Sequence, residues 1–268
     1  MGGRGASSGV GSSGGGSGLA IGYGGFGSLK NLIGEAQQNQ QGMQPNFTGT
    51  PGSYTDENNP ALLKYQSQTP DKVADFLAGT DKNVNLNDPQ YQDGYAYHDL
   101  PLNRLLARLG INKGPTVLSP TEFQQYCQQT GQQAMYRGWS STASAQRFMN
   151  TTNNHVGNGR LGDGYYFSPD LSTAQTFAGP GRNNVMQVAL SPKAKVINLH
   201  TLRNMMAQEP QKLQNALRKA GTYGSGRTYG SNIGEAQYAL MKGYNVVESG
   251  GYMFAVTNDA LVCSTKLR

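Results

Sequence analysis

Cysteine is nearly absent. The 268 residues hold only Cys127 and Cys263, too few for a disulfide scaffold or a four-cysteine zinc site. The three histidines, His98, His155 and His200, are scattered and have no metal-ligand spacing, so no metal site is expected. Charge is scarce as well: Asp, Glu, Lys and Arg together make up 14% of the chain. No run approaches the ~20 apolar residues of a membrane span. No apolar signal core follows Arg4, and Ala6 stands where N-myristoylation calls for Ser or Thr. No membrane partner is expected, and the location is left open.

The polarity comes instead from Gly, Gln, Asn, Ser and Thr. Thirteen of the 37 glycines fall within the first 27 residues. Such a Gly/Ser tract buries too little apolar surface to offset its ordering entropy, so residues 1–28 are expected to be disordered. Leu19, Ile21, Tyr23, Phe26, Leu29, Leu32 and Ile33 form a stickier stretch, readable as a linker or as a short docking segment. Residues 36–59 are Gln/Asn-rich and expected to be irregular, which makes 1–59 a disordered tail or linker. The net charge is +6, but the basic residues are spread out and form no stripe interleaved with aromatics. That argues against nucleic acid and suits an anionic ligand or an acidic partner surface.

Residues 60–133 read as a helical lobe. Thr69 and Pro70 start a helix that Gly79 ends. Leu102, Leu105, Leu106 and Leu109 lie on one helical face, stopped by Gly110. Ser119-Pro120-Thr121-Glu122 is a capping box that turns Phe123, Tyr126 and Cys127 inward, so Cys127 reads as a small core residue rather than a nucleophile.

From 134 onward, short strands alternate with Gly-rich turns. The expected strands are 134–139, 164–168, 185–190, 194–198, 244–248, 252–257 and 261–264. Helices are expected at 170–178, at 199–220 with a break at Pro210, and at 233–242. The fold class is therefore α+β, with helices first and then a mostly antiparallel sheet.

Two segments carry chemistry. Gly162-Asp163-Gly164-Tyr165-Tyr166-Phe167-Ser168-Pro169-Asp170 feeds an aromatic strand into a hydroxyl and a helix start. It suits either a flat ring attached to phosphate or an ordinary strand–turn–helix with aromatics in the core. Tyr136-Arg137-Gly138-Trp139 puts one arginine inside an apolar strand. That arginine either meets an anion, for which its fork is suited, or sits on the solvent face of an edge strand.

Taken in order, Tyr136-Arg137-Gly138, then Gly162–Ser168 with Ala174 and Phe177-Ala178, then Leu190–Ile197 and the hairpin from Gly243-Tyr244-Asn245-Val246-Val247 to Leu261, resemble the ADP-ribosyltransferase fold of bacterial toxins. The similarity is closest to transferase-like proteins encoded beside phage head genes. It covers roughly residues 134–264, about half the chain, and sets 134–268 apart as an expected ADP-ribosyltransferase-like domain with a split sheet.

The resemblance implies that NAD is the substrate and a protein is the acceptor. Arg137, with Gly138 beside it, would anchor the NAD phosphates or the nicotinamide ribose. Tyr165, Tyr166 or Phe167 would wall the nicotinamide. Ser168 would brace the ribose and orient the catalytic carboxylate, and Arg137 and Ser168 would face one cleft. The chain departs from the family at the glutamate expected near the start of the last hairpin strand, where it has Gly251 and Tyr252. Glu248 is the nearest carboxylate and Glu235 the other. The resemblance thus leaves two expectations: a protein-modifying transferase, or a catalytically silent member of the fold acting as a structural or interaction protein. A silent member would belong, for example, to a virus particle, with the Gly/Ser tail as tether. The corresponding locations are a phage particle or the host cytoplasm.

Overall fold

The computed structural model describes residues 29–40, 54, 59–79, 101–111, 113–150, 159, 161–223, 227–228 and 232–268. The expectation for residues 1–28 lies outside them. The fold is α+β, with ten α-helices and two four-stranded sheets among the described residues.

The N-terminal part contributes α1 (Leu29–Gln40), α2 (Pro60–Ser67), α3 (Pro70–Gly79), α4 (Pro101–Arg108) and α5 (Pro120–Thr130). The Ser119–Glu122 capping box is formed as read, with each side chain bonding the other residue's backbone N–H. Two parts of the 1–59 expectation are corrected. Leu29–Gln40 is a helix because Ile33, with Leu29 and Leu32, packs on Phe123 and Tyr126 of α5. Tyr54 is buried, and its hydroxyl donates to the Asp259 carboxylate at 3.2 Å.

The first sheet runs β1 (Thr116–Leu118), β10 (Leu261–Leu267), β4 (Val185–Leu190), β2 (Met135–Gly138). The second runs β3 (Tyr165–Phe167), β9 (Tyr252–Ala255), β8 (Val246–Ser249), β5 (Val196–Asn198). Neighbours are antiparallel except β1–β10 and β5–β8. A minor pair, β6 (Thr222–Tyr223) with β7 (Arg227–Thr228), stands apart. The remaining helices are α6 (Thr142–Asn150), α7 (Leu171–Gln175), α8 (Leu199–Ala207), α9 (Gln211–Ala220) and α10 (Glu235–Met241). The break between α8 and α9 falls at Pro210, which caps α9.

The boundary at 133/134 does not divide the molecule. β1, from the expected helical lobe, is a strand paired with β10. The helices of 60–111 share one continuous core with both sheets, from Leu62, Val73 and Leu105 to Val188 and Val247. Tyr65 of α2 also donates its hydroxyl to the carbonyl of Gln237 on α10.

Register decides what can meet. Side chains alternate across a strand, and directly opposed residues share a face. In the first sheet Met135 faces Val188 and Arg137 faces Met186, all on the side of the main core. In the second, Phe167, Met253, Glu248 and Asn198 form one row, and Tyr165, Ala255, Val246 and Val196 form another on the same face. Tyr165 packs on Trp139 and Phe148, so this face is turned toward the first sheet. We call it the inner face. The outer face carries Tyr166, Phe254, Val247 and Ile197.

Candidate functional site

β2 and β3 meet through a single pair, in which Tyr136 and Ser168 exchange backbone hydrogen bonds of 2.8 and 3.0 Å. Being directly opposed, their side chains lie on one side, and Arg137, the next residue along β2, points to the other. The strands of Arg137 and Ser168 are thus adjacent, but their side chains face opposite ways. The expected shared cleft is corrected, and Ser168 leaves the site. Its hydroxyl instead accepts from the Asp170 backbone N–H at 3.1 Å, beside the Asp170 cap of α7.

Gly138 is also explained by packing. A Cβ there would run into the Ala174 carbonyl and come within 2.8 Å of the Ala178 nitrogen, so the missing side chain admits the α7 segment rather than a ligand.

Arg137 is half-buried on the inner side. Its Nη1 donates to the Tyr166 carbonyl at 2.8 Å, and its guanidinium carbon lies 4.4 Å from the Trp139 ring centre and 4.8 Å from that of Tyr165. Its charge reaches Cys263: burial pushes that thiol well above the ordinary range, and Arg137 partly opposes the shift. The indole N–H of Trp139 is buried and meets no acceptor among the described residues.

The three aromatics expected as a nicotinamide wall are divided. Tyr165 and Phe167 belong to the inner face. Tyr166 belongs to the outer one, stacked on Phe254 at 5.2 Å, with its hydroxyl donating to the Gly162 carbonyl at 2.6 Å and accepting from the Leu161 N–H at 3.0 Å. Burial holds its phenol above the ordinary range.

The two carboxylates are divided in the same way. Glu248 is half-buried on the inner face, two strand spacings of ~4.8 Å from Phe167. Its Oε2 accepts from Asn198 Nδ2 at 2.6 Å and its Oε1 from the Gly251 N–H at 3.3 Å. Glu235, at the start of α10, is fully buried on the outer side. A Cβ on Gly162 would sit between its side chain and the Phe254 ring. Arg203 of α8 grips Glu235 Oε1 through Nε at 2.9 Å and through Nη2, and the Ile233 N–H donates to Oε2 at 2.7 Å. Burial still lifts this carboxyl above its ordinary value, outweighing both partners. Glu235 is therefore not an alternative to Glu248 beside Arg137.

Sequence reasoning missed Asp163, Arg203 and Asn198. Asp163 is buried behind Gly162, accepts from Asn232 Nδ2 at 2.9 Å, and is lifted to about 7, chiefly by burial and further by the charge of Glu235. Its setting between two glycines was the available signal. Asn198 was readable as a helix cap, but its contact with Glu248 depends on the parallel β5–β8 pairing.

Between the sheets, half-buried Arg137 thus lies against the buried Tyr165 ring, and Glu248, on the same side as buried Phe167, is held by two donors. No family model, curated protein or solved structure matches the chain. Among the described residues no helix is long and apolar enough to cross a membrane.

Proposed function

We propose that the chain is an NAD-dependent mono-ADP-ribosyltransferase with a fold of the ADP-ribosyltransferase type, acting on a protein acceptor through the inner face of the second sheet. The observation that carries this reading is that Arg137, on β2 of the first sheet, points toward the inner face of the second and stacks on Tyr165, and that Glu248 and Phe167 lie on that same inner face. Arg137 supplies a fixed fork for the diphosphate or ribose. Glu248 holds the ribose 2′-hydroxyl and favours the oxocarbenium-like transition state by its negative charge. The bond from ribose C1 to the nicotinamide nitrogen breaks, and its electron pair leaves with the now neutral nicotinamide. An acceptor nucleophile on the target protein forms the new bond to C1 and loses its proton.

A second reading, a catalytically silent member of the fold serving as a structural or virion protein tethered by residues 1–28, is favoured by two observations. Ser168 faces away from Arg137, and Gly251 stands where the resemblance expects a glutamate. Incubating the full chain with labelled NAD and a bacterial lysate separates the two. Transfer predicts labelled protein bands and free nicotinamide, together with NAD binding that Arg137→Ala weakens. Absence of label, nicotinamide and NAD binding favours the silent reading.

A further inference from the structure

We infer that Asn198 is a positioning residue for Glu248, taking over the bracing role that the resemblance assigns to Ser168; this rests on the transferase reading. Asn198 ends β5 opposite Glu248 in the parallel pairing. Its amide divides its two functions between two atoms. Oδ1 caps α8, accepting from the His200 N–H at 2.9 Å and the Thr201 N–H at 3.4 Å. Nδ2 donates to Glu248 Oε2 at 2.6 Å. A side chain pinned at its oxygen by a helix terminus has little freedom left, so its nitrogen presents a fixed donor. The Gly251 N–H fixes the other carboxylate oxygen, so Glu248 is held from α8 on one side and from the hairpin turn on the other. Ser168 cannot do this, because its hydroxyl is on the far side of the β3 edge and engaged by Asp170.

The two atoms can be tested separately. Asn198→Ser and Asn198→Asp both keep a capping oxygen. The serine lacks the Nδ2 donor, and the aspartate sets a second carboxylate against Glu248. Both variants should therefore keep α8, and Asn198→Ser should keep the thermal midpoint, while the like charges in Asn198→Asp lower it somewhat. Asn198→Ser should lower kcat for nicotinamide release about tenfold, the effect of one charge-assisted hydrogen bond, and leave NAD affinity within about twofold. Asn198→Asp should lower kcat further, and Ser168→Ala should leave it unchanged. A kcat that Asn198→Ser leaves intact and Ser168→Ala lowers overturns the inference while transferase activity stands.

A second readout does not need activity. In the 15N-labelled full chain, Glu248→Gln should move the side-chain amide resonances of Asn198 and leave those of Asn204 in place. If the wild type releases no nicotinamide, the transferase reading fails, and the Asn198 resonances still decide whether this residue holds Glu248. Unmoved resonances overturn the placement.

Discussion

Among the described residues, Tyr136 and Ser168 form the one backbone pair that joins the two sheets, and its register turns Arg137 inward. With the side chain of Tyr136 committed to the α7 side, alongside Ala174, Ala178 and Val185, its neighbour enters the space between the sheets. There the guanidinium is stacked on Trp139 and Tyr165.

That joint depends on Gly138. Adding one methyl group there forces α7 away from β2, since the atoms in the way are backbone. Gly138→Ala should cost about 1–3 kcal/mol, the usual effect of overpacking, measured by urea unfolding. An unchanged midpoint would mean that α7 can shift without loss.

Asp163 should make stability fall as pH rises. Its ordinary value is 3.8, and in the folded chain burial raises it to about 7, with Glu235 adding to the lift and the Gly159 N–H and Asn232 opposing it. A carboxyl raised on folding stabilises the fold fully below its unfolded value, and that contribution is lost as pH rises through the folded one. The loss attributable to Asp163 therefore spans pH ~4 to ~7, and the buried Glu235, also raised, adds to it with the same sign. Unfolding free energies of wild type and Asp163→Asn, whose amide stays neutral like the protonated carboxyl, should lie close at low pH and separate across this range, with the wild type falling more steeply. Parallel curves would contradict the burial of an ionisable group here.

Arg203 is the partner that makes a buried Glu235 tolerable, with the Glu235 side chain fully inaccessible and that of Arg203 about one-third exposed. Removing it strands a carboxylate. Arg203→Met should cost about 3–5 kcal/mol in chemical unfolding. Lys212→Met, which breaks an exposed pair with Asp75, should change the midpoint little. Equal effects of the two substitutions would count against a structural role for the Arg203–Glu235 pair.

Deleting residues 1–28 should leave the thermal midpoint within about two degrees, since their composition offers no core-forming pattern. Deleting 1–40 should lower it clearly, because Ile33 then no longer covers Phe123 and Tyr126. A similar small change for both would mean that α1 contributes nothing to the core.

Local signals made much of the fold legible. Val185–Leu190 is bounded by Asn183-Asn184 and Ser191-Pro192 and appears as a strand over that span. Pro210 interrupts a helix because it lacks the N–H that a continuing helix would need. Other elements exist through contacts that no short window contains. α1 is Gln-rich and owes its packing to α5, and β1 is three residues long and pairs with the far C-terminal β10. α6 hides in the Ser/Thr-rich stretch after Trp139, with only Ala145 and Phe148 buried. At the site, Arg137 and Glu248 could be named from their strands, but the side on which Ser168 points could not. Alternation fixes parity within a strand, while the parity between β2 and β3 is set by the long-range Tyr136–Ser168 register.

Nicotinamide release by wild type and Glu248→Gln, followed with saturating NAD alongside a separate binding titration, bears most directly on the proposed chemistry. A carboxylate acting on the transition state affects rate more than binding. Glu248→Gln should therefore slow release by ~10²-fold or more while NAD affinity stays similar. Full activity in Glu248→Gln, or a wild type that neither binds NAD nor releases nicotinamide, would contradict it.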